Sequence, residues 1–577
     1  MGPPFDDAPP QPSMKILLAY PYCLEDRIHV EDAGVVPMGV YFVGAVLRET
    51  GHEVTIANWS ALRDRPEEVE RALRAERPDV IGFSVLNANR WAALDIAESA
   101  KRIDPKVVTV FGGIGASTLW KHFLTHFPAV DFAVVGEGER SFAALIAWLA
   151  SADARTEEPK GIPGIAFRRA GRPFCSEDAE PVRDLDALPD PSRHFTYRHL
   201  ALTRGCPMKC SFCGSPRFWG SRVRFHSPQY FVDQMERLHR RGENFFFVSD
   251  DTFTLDKDRV VAVCREILRR KLSVSWAAIS HVSMVDADIL YWMRRAGCIQ
   301  ISYGVESGSP EIRRRLGKSI SDEHIRSAFS LTVSHGILAR AYFIYGCPGE
   351  NWETIEETLS LIEAIRPLSA VFYILDLFPG TALYEDYRKR SGATDDIWLR
   401  RIEDVLYFEI DPSLSSEQVT AFGARLRSRY YERLPRYAES VELIDRKELY
   451  GPHAEFLSRL AMTFECGDYA GVDAIPDKER VAETLYRRAL RYAKVPRAYL
   501  GLGILAQKRR DYDGSIEVLA EGLRRFPRDP QLGVCLAVSH MNTGDFPRAL
   551  EILRPLEGHP EADSYIEACR RAVSERR

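Results

Sequence analysis

The sequence predicts an α/β multidomain chain: a doubly wound, Rossmann-like parallel sheet, then a partial (β/α)6 barrel, then an α-helical C-terminal region built of repeats. Three observations carry this reading. Residues 14–145 alternate short apolar runs with helix-length segments, a second such series begins near residue 197, and the tail from about 452 is helical with a 34-residue period. The length, 577 residues, exceeds what one hydrophobic core organises and suggests three or four units.

In the first series MKILLAYP reads as a buried strand, VYFVGAVLRETG as a helix closed by Gly51, and HEVTIANW as a second strand. PDVIGFSVL, VVTVFGG and FAVVGEGE supply three more. Runs apolar on both faces, separated by helical segments, suit a doubly wound parallel sheet over 14–150. Ligands of such sheets sit beyond the strand C-termini. There the chain places Ser84 to Asn87, Gly112-Gly113-Ile114-Gly115 and Gly136-Glu137-Gly138-Glu139. Residues 151–195, rich in proline and charge, read as a linker.

From 196 to 430 the strands are HLALTRGC, NFFFVSDDTF, SVSWAAIS, IQISYGVESG, ARAYFIYGCPGE and SAVFYILDLFPG, each followed by a helical segment. Six strands with crossover helices predict a parallel, partial barrel whose chemistry lies on loops at the strand C-termini. In the region 431–577, Ala482, Leu485 and Ala489 recur as Ile516, Leu519 and Leu523, and the first two again as Leu550 and Leu553. Pro496 and Pro530, and Tyr512 and Phe546, keep the same interval. That spacing is the signature of tetratricopeptide-like (TPR-like) helical hairpins.

Composition narrows the classes. A formal charge of −5, with 77 basic against 82 acidic residues, gives no reason to expect nucleic acid or an anionic membrane as partner. No run approaches a membrane span, and residues 1–13, MGPPFDDAPPQPS, read as a disordered tail rather than a signal peptide. A cytoplasmic location is expected. In that compartment disulfides are rare, so clustered cysteines point to metal or redox chemistry. Eight of the eleven cysteines are scattered singly and read as small buried hydrophobes.

The other three, Cys206, Cys210 and Cys213, fall within TRGCPMKCSFCGSP. A structural zinc site needs four ligands and no second CxxC lies downstream. A four-iron four-sulfur (4Fe-4S) cluster normally takes four thiolates, so three leave one iron open. This CxxxCxxC, with Phe212 before and Gly214 after the last cysteine, resembles the cluster loop of the radical S-adenosylmethionine (radical SAM) superfamily. The resemblance implies that the open iron chelates S-adenosylmethionine and that the cluster's electron releases a 5′-deoxyadenosyl radical. It further implies cofactor contacts from Asp250 or Asp251 in VSDDTF to the methionine ammonium, although each is equally suited to cap a helix. Glu306 and Ser307 in YGVESGS would reach the ribose and carboxylate, and Gly346 and Gly349 in FIYGCPGE the adenine. LFPGTALY resembles the sixth-strand turn common in cobalamin-associated members.

The first domain looks like the cobalamin-binding domain of class B radical S-adenosylmethionine enzymes, through VVPMGVYFVGAVLRETGHEV, VIGFSVL, VFGGIGAS and VVGEGE. By that resemblance Ser84, Gly112, Gly113, Gly136, Glu137 and Gly138 would line the corrin and its nucleotide tail. No GxGxxG follows the first strand, which disfavours a dinucleotide. The chain departs from domains that ligate cobalt through DxHxxG: His29 lies three residues from Asp26 and reads as a surface or loop histidine, so the lower face of the cobalt would lack a protein ligand or be approached by a group that the sequence does not reveal.

The implied function is a cobalamin-dependent radical S-adenosylmethionine methyltransferase acting on an unactivated carbon, or a phosphorus, through methylcobalamin and a substrate radical. Its substrate would be a small molecule or carrier-bound, and it would need an external electron donor of flavodoxin or ferredoxin type. An oxidative cyclase or ring-rearranging enzyme keeps the cofactors and changes the outcome. A scaffold recruiting a protein or peptide through its TPR-like repeats is the alternative of another class. Tyr303, Tyr345, Tyr373, His281 and Arg340 lie near predicted strand ends as candidate substrate contacts.

Overall fold

The computed structural model describes residues 13–25, 34–151, 157–159 and 161–575. The first domain is a seven-stranded sheet. Its strands are β1 (Lys15–Tyr20), β2 (Glu53–Asn58), β3 (Val80–Ser84), β4 (Val108–Gly112), β5 (Phe132–Val134), β6 (Ile165–Arg169) and β7 (Arg172–Cys175), in the order β2-β1-β3-β4-β5-β6-β7. The first five are parallel; β6 and β7 are antiparallel. Ile16 to Tyr20 are all buried because helices cover both sheet faces. Strand order reverses at β1, which opens a crevice beyond the C-termini of β1 and β3.

The segment expected as a linker departs from that reading. Within 151–195, β6 and β7 form a hairpin turned at Gly171 (φ 76°) that extends the sheet beyond β5. Its short strands share a run of arginines and a proline with the surrounding sequence, so composition concealed them. The tail up to residue 12, Asp26 and His29 lie outside the described residues.

The second domain holds β8 (His199–Leu200), the short pair β9 (Thr203–Arg204) and β10 (Arg224–Phe225), then β11 (Phe245–Val248), β12 (Ser275–Ser280), β13 (Cys298–Glu306), β14 (Leu338–Tyr345) and β15 (Ser369–Ile374). Six of these form an all-parallel sheet in the order β15-β14-β13-β12-β11-β8, each strand beside its predecessor. That consecutive order, with a helix after every strand from β11, is the connectivity of a partial barrel. In β14 burial alternates strictly, with Ala339, Ala341 and Phe343 buried and Leu338, Arg340, Tyr342 and Ile344 half-buried on the other face.

Beyond β15 the chain is helical. A long helix, Ser416–Glu439, spans the expected boundary at 430/431. Phe422, Leu426, Tyr430, Phe456, Leu460, Leu485 and Ala498 belong to the same hydrophobic core as the barrel. The 34-residue interval has a structural counterpart. Pro496 and Pro530 open the helices Pro496–Lys508 and Pro530–Asn542, and Tyr512 and Phe546 open Tyr512–Arg525 and Phe546–Leu553. Proline suits the first helical turn, where no amide donor is required.

Candidate active site between the sheet and the barrel

A cavity of about 1280 Å³ lies between the C-terminal edges of the two sheets. It exceeds the usual range for a small-molecule site, roughly 300–1,000 Å³. The first domain lines it with Ser84, Asn87, Gly112 to Gly115 and Gly136 to Glu139; the second contributes Gly214, Ser215, Asp251, Tyr345 and Tyr373. The glycines have a steric reason. A Cβ on Gly115 would stand 2.9 Å from the Val85 carbonyl oxygen, and Gly113 has φ 89°, so backbone passes where side chains cannot.

Asn87, at the end of the stretch Ser84 to Asn87, also lines this wall. It is 5% exposed and neither its side-chain oxygen nor its nitrogen has a hydrogen-bond partner among the described residues. An unsatisfied buried amide is costly, and a large amide-rimmed group such as cobalamin would supply the missing partners. The cavity's size, its glycine wall and this amide fit that cofactor.

The cluster loop closes the other side. A Cβ on Gly214 would lie 2.7 Å from Ile114 Cδ1, so the loop that follows Cys213 rests directly on the first-domain glycine turn. Its middle is clamped by backbone: Ser211 N donates to Leu316 O (2.9 Å) and Leu383 N donates to Ser211 O (2.8 Å). Leu383 belongs to the LFPGTALY turn, which therefore buttresses the loop. Cys206 is buried, Cys210 and Cys213 half-buried. Burial pushes the Cys213 thiol up to about 11 and raises Cys210 as well, so metal binding must displace the protons. Among the described residues no three His, Cys, Asp or Glu side chains converge on a single-ion site. Three thiols on one loop suit a cubane, which takes one thiolate per iron, better than zinc, whose closed sites need four ligands.

Beside these thiols stands a buried ion pair, Lys318 Nζ to Glu306 Oε1 at 3.0 Å. Burial opposes the Lys318 charge, but Glu306 and Cys210 outweigh it and hold the ammonium charged. Glu306 itself has φ 65°, a left-handed conformation uncommon for a glutamate, at the irregularity where β13 leaves register with β14. Lys318 escaped the sequence reading because it follows a helix rather than a strand.

The paired acids divide. Asp251 lines the cavity and accepts from Ser215 Oγ at 2.5 Å. Asp250 is 1% exposed, outside both cavity walls, and accepts from Leu202 N at 2.9 Å; burial pushes it up to about 7. Ser307 is turned toward Thr358 Oγ1 (3.2 Å) and Ser309 N (3.1 Å), away from the cavity. Phe212 packs at the edge of the first-domain core. Gly346 and Gly349 shape the loop after β14, whose amides at 346 and 347 donate to Glu350 at 2.5 and 3.2 Å. Tyr303 faces the helices and shares a hydrogen bond with Thr332 Oγ1 (2.8 Å), and His281 Nδ1 is bonded to Ser283 Oγ (2.8 Å); neither lines a cavity, because Tyr303 lies one residue off the inward face of β13.

The two domains are locked by a buried quartet. Arg204, two residues before Cys206, reaches Glu139 at 2.6 Å and Glu137 at 3.0 Å, and Arg224 reaches Glu137 at 2.5 Å. All four side chains are at most 8% exposed. The Glu137 carboxylate, expected to face the corrin, is therefore committed to two arginines, although the residue still borders the cavity.

Comparison with known proteins agrees with this arrangement. Residues 200–362 match the Radical SAM superfamily and residues 32–146 match the B12 binding domain. An uncharacterized methyltransferase of Pyrococcus horikoshii is 28% identical over 384 residues, covering 64% of this chain and 83% of that protein. The anaerobic magnesium-protoporphyrin IX monomethyl ester cyclase of Cereibacter sphaeroides is 28% identical over 347 residues, 57% of this chain and 56% of the cyclase, so the match spans little more than half of that relative. The radical S-adenosylmethionine methyltransferase TsrM of Kitasatospora setae, with cobalamin and a [4Fe-4S] cluster bound, shares the fold at a TM-score of 0.55 and 22% identity, over 66% of this chain and 78% of that one. The radical SAM and B12-binding domains imply a 4Fe-4S cluster, S-adenosylmethionine and cobalamin as cofactors. Among the described residues no helix is long and apolar enough to cross a membrane.

Proposed function

We propose that the chain is a cobalamin-dependent radical S-adenosylmethionine methyltransferase that methylates an unactivated carbon, or a phosphorus, of a small or carrier-bound substrate. The observation that carries this reading is the contact between Gly214 and Ile114, by which the cluster loop and the glycine turn share one cavity. When bound, the cluster with S-adenosylmethionine supplies a 5′-deoxyadenosyl radical and the cobalamin a methyl group.

The chain's own residues position and exclude water. Cys206, Cys210 and Cys213 would hold the cluster; Asp251, with Gly214 beside it, would bind the S-adenosylmethionine ammonium; Lys318 and Glu306 set the charge beside these cysteines. Ser84, Asn87, Gly112, Gly113, Gly136 and Gly138 would hold the cobalamin, and Glu137 would act through Arg204 and Arg224. Residues 14–150 form the cobalamin-binding unit and 196–430 the catalytic barrel, with an electron donor of flavodoxin or ferredoxin type docking from outside. The helices from Tyr450 onward are TPR-like, the first of them sealing the barrel and the later ones available to a protein or peptide partner.

The test is anaerobic reconstitution with iron, sulfide and hydroxocobalamin, followed by visible spectra and an assay for 5′-deoxyadenosine. Both cofactor spectra and 5′-deoxyadenosine are expected, and Cys206→Ala should abolish the cluster spectrum and the cleavage. S-adenosylmethionine cleavage by Cys206→Ala would overturn the reading. Product lacking label from methyl-labelled methionine would instead favour a cyclase, the activity of the Cereibacter relative.

A further inference from the structure

The barrel is hollow. Where full barrels fill their interior with layers of branched side chains, this one has Ala277, Ser302 and Gln300 facing inward, and a second cavity of about 380 Å³ remains. That volume lies in the range of small-molecule sites. Its upper rim is Asp251, which also borders the large cavity, so the two meet beside the cluster loop.

The charges in its wall are unevenly placed. Arg204 is neutralised by Glu139 and Glu137, and Asp251 accepts from Ser215 at the top. Arg340 is different. It occupies the third of eight positions in β14, on the inward face with Tyr342 and opposite Ser302 of β13. Its Nε donates to Ser369 Oγ at 3.1 Å, which orients the guanidinium and leaves both Nη groups for the cavity; no carboxylate among the described residues pairs with it. Gln300 reaches Ser302 at 3.4 Å and extends the polar patch. At about 3.3 Å per residue, Arg340 stands roughly 16 Å below the strand end that carries the cofactor loops. Tyr469, from the C-terminal region, donates to Leu368 O at 2.6 Å, next to Ser369, and so covers this lower end.

We propose that Arg340, with Ser302 and Gln300, forms the anion subsite of the substrate, which is an elongated small molecule ending in a carboxylate or phosphate. The assignment rests on the methyltransferase reading, since it places the acid at the bottom of the barrel and the reacting atom at the Asp251 end. A guanidinium held by its Nε and open at both Nη atoms presents the fork that planar oxyanions match. The same chemistry belongs to the carboxylate of S-adenosylmethionine, and the test separates the two sources.

The full-length reconstituted protein is titrated with 4-phenylbutanoate, 3-phenylpropyl phosphate and the uncharged 4-phenylbutanamide, and separately with S-adenosylmethionine. The two anions are expected to bind at least about tenfold tighter than the amide, the worth of a charge-assisted pair. Arg340→Gln should erase that preference and Arg340→Lys retain part of it. The proposal is overturned if wild type does not discriminate acid from amide, if Arg340→Gln still discriminates, or if Arg340→Gln loses S-adenosylmethionine affinity in parallel. Should Arg340→Gln not fold, the wild-type contrast and Arg340→Lys decide. Binding is read without turnover. A chain that takes the acids yet forms no 5′-deoxyadenosine refutes the methyltransferase reading and keeps the subsite; one that cleaves S-adenosylmethionine but ignores the acids refutes the subsite alone.

Discussion

Arg204 Nη2 lies 2.6 Å from Glu139 Oε1, both side chains at most 6% exposed, and only Gly205 separates that arginine from the first cluster cysteine. The ion pair joins the turn after β5 to the strand that launches the cluster loop, so the two cofactor sites share one anchor. Breaking it by Arg204→Gln leaves two buried carboxylates with Arg224 alone. A loss of about 3–5 kcal/mol is expected in denaturant unfolding. Arg204→Lys, which keeps the charge and not the fork, should recover part of it. A loss below about 1 kcal/mol for the glutamine variant would show that the quartet does not hold the domains.

Gly317 supports the loop from beneath. It has φ 68°, and a Cβ there would sit 2.7 Å from Lys209 O and 3.6 Å from the Cys210 Cα. Gly317→Ala combines a backbone penalty of about 1–2 kcal/mol with displacement of the loop. Iron bound per chain after reconstitution should fall, while Gly39→Ala, which meets nothing within 4 Å, should leave it unchanged.

Asn87 should respond with opposite signs. Replacing its unpartnered amide by leucine removes a buried polar group, so Asn87→Leu is expected to raise the melting temperature of the cofactor-free chain. Hydroxocobalamin affinity should drop by about threefold to tenfold, the range of one or two neutral hydrogen bonds. Equilibrium dialysis and thermal melts on the same preparation check both; unchanged cobalamin affinity would remove Asn87 from the site.

Glu350 makes stability depend on pH. Burial pushes its carboxyl from 4.5 up to about 7, so folding favours the protonated form. The associated stability is complete below about pH 4.5, falls as pH rises toward 7, and is gone above it. The span is at most about 3 kcal/mol. Denaturant unfolding at pH 5 and pH 8 should show a smaller difference for Glu350→Gln than for wild type. Equal differences would mean that this carboxyl does not carry the effect.

Truncation separates the helical tail into two kinds. Removing 452–577 strips Phe456, Leu460 and Leu485 from the barrel's own core and should give insoluble protein. Removing 545–577 takes away a satellite cluster around Ala549, Leu553 and Ile566 and should leave a soluble chain with unaltered cofactor loading. Soluble, active protein from the longer deletion would refute the shared core.

Much of the site was legible because its residues are local. Three thiols within eight positions, glycine pairs at strand ends and a 34-residue period are one-dimensional signals. What escaped depends on long-range pairing. Asp250 and Asp251 look alike in sequence, yet one hydrogen-bonds the start of the barrel and the other faces the cavity, because neighbours in an extended segment point opposite ways. Tyr303 lies off the inward face of β13 for the same parity reason, and the β6–β7 hairpin was hidden by its arginines and proline.

By itself the sequence determined the parallel α/β order, the cluster loop and the helical tail, because strand and helix periodicities and cysteine spacing are properties of the chain alone. Only the tertiary structure decided that Glu137 and Glu139 serve Arg204 and Arg224, that Lys318 stands beside the cysteines, and that Arg340 faces a hollow barrel. Those relations join residues far apart in the chain, Arg204 and Glu137 by 67 positions and Arg224 and Glu137 by more. Burial sets their strength, and burial exists only once the sheets have packed.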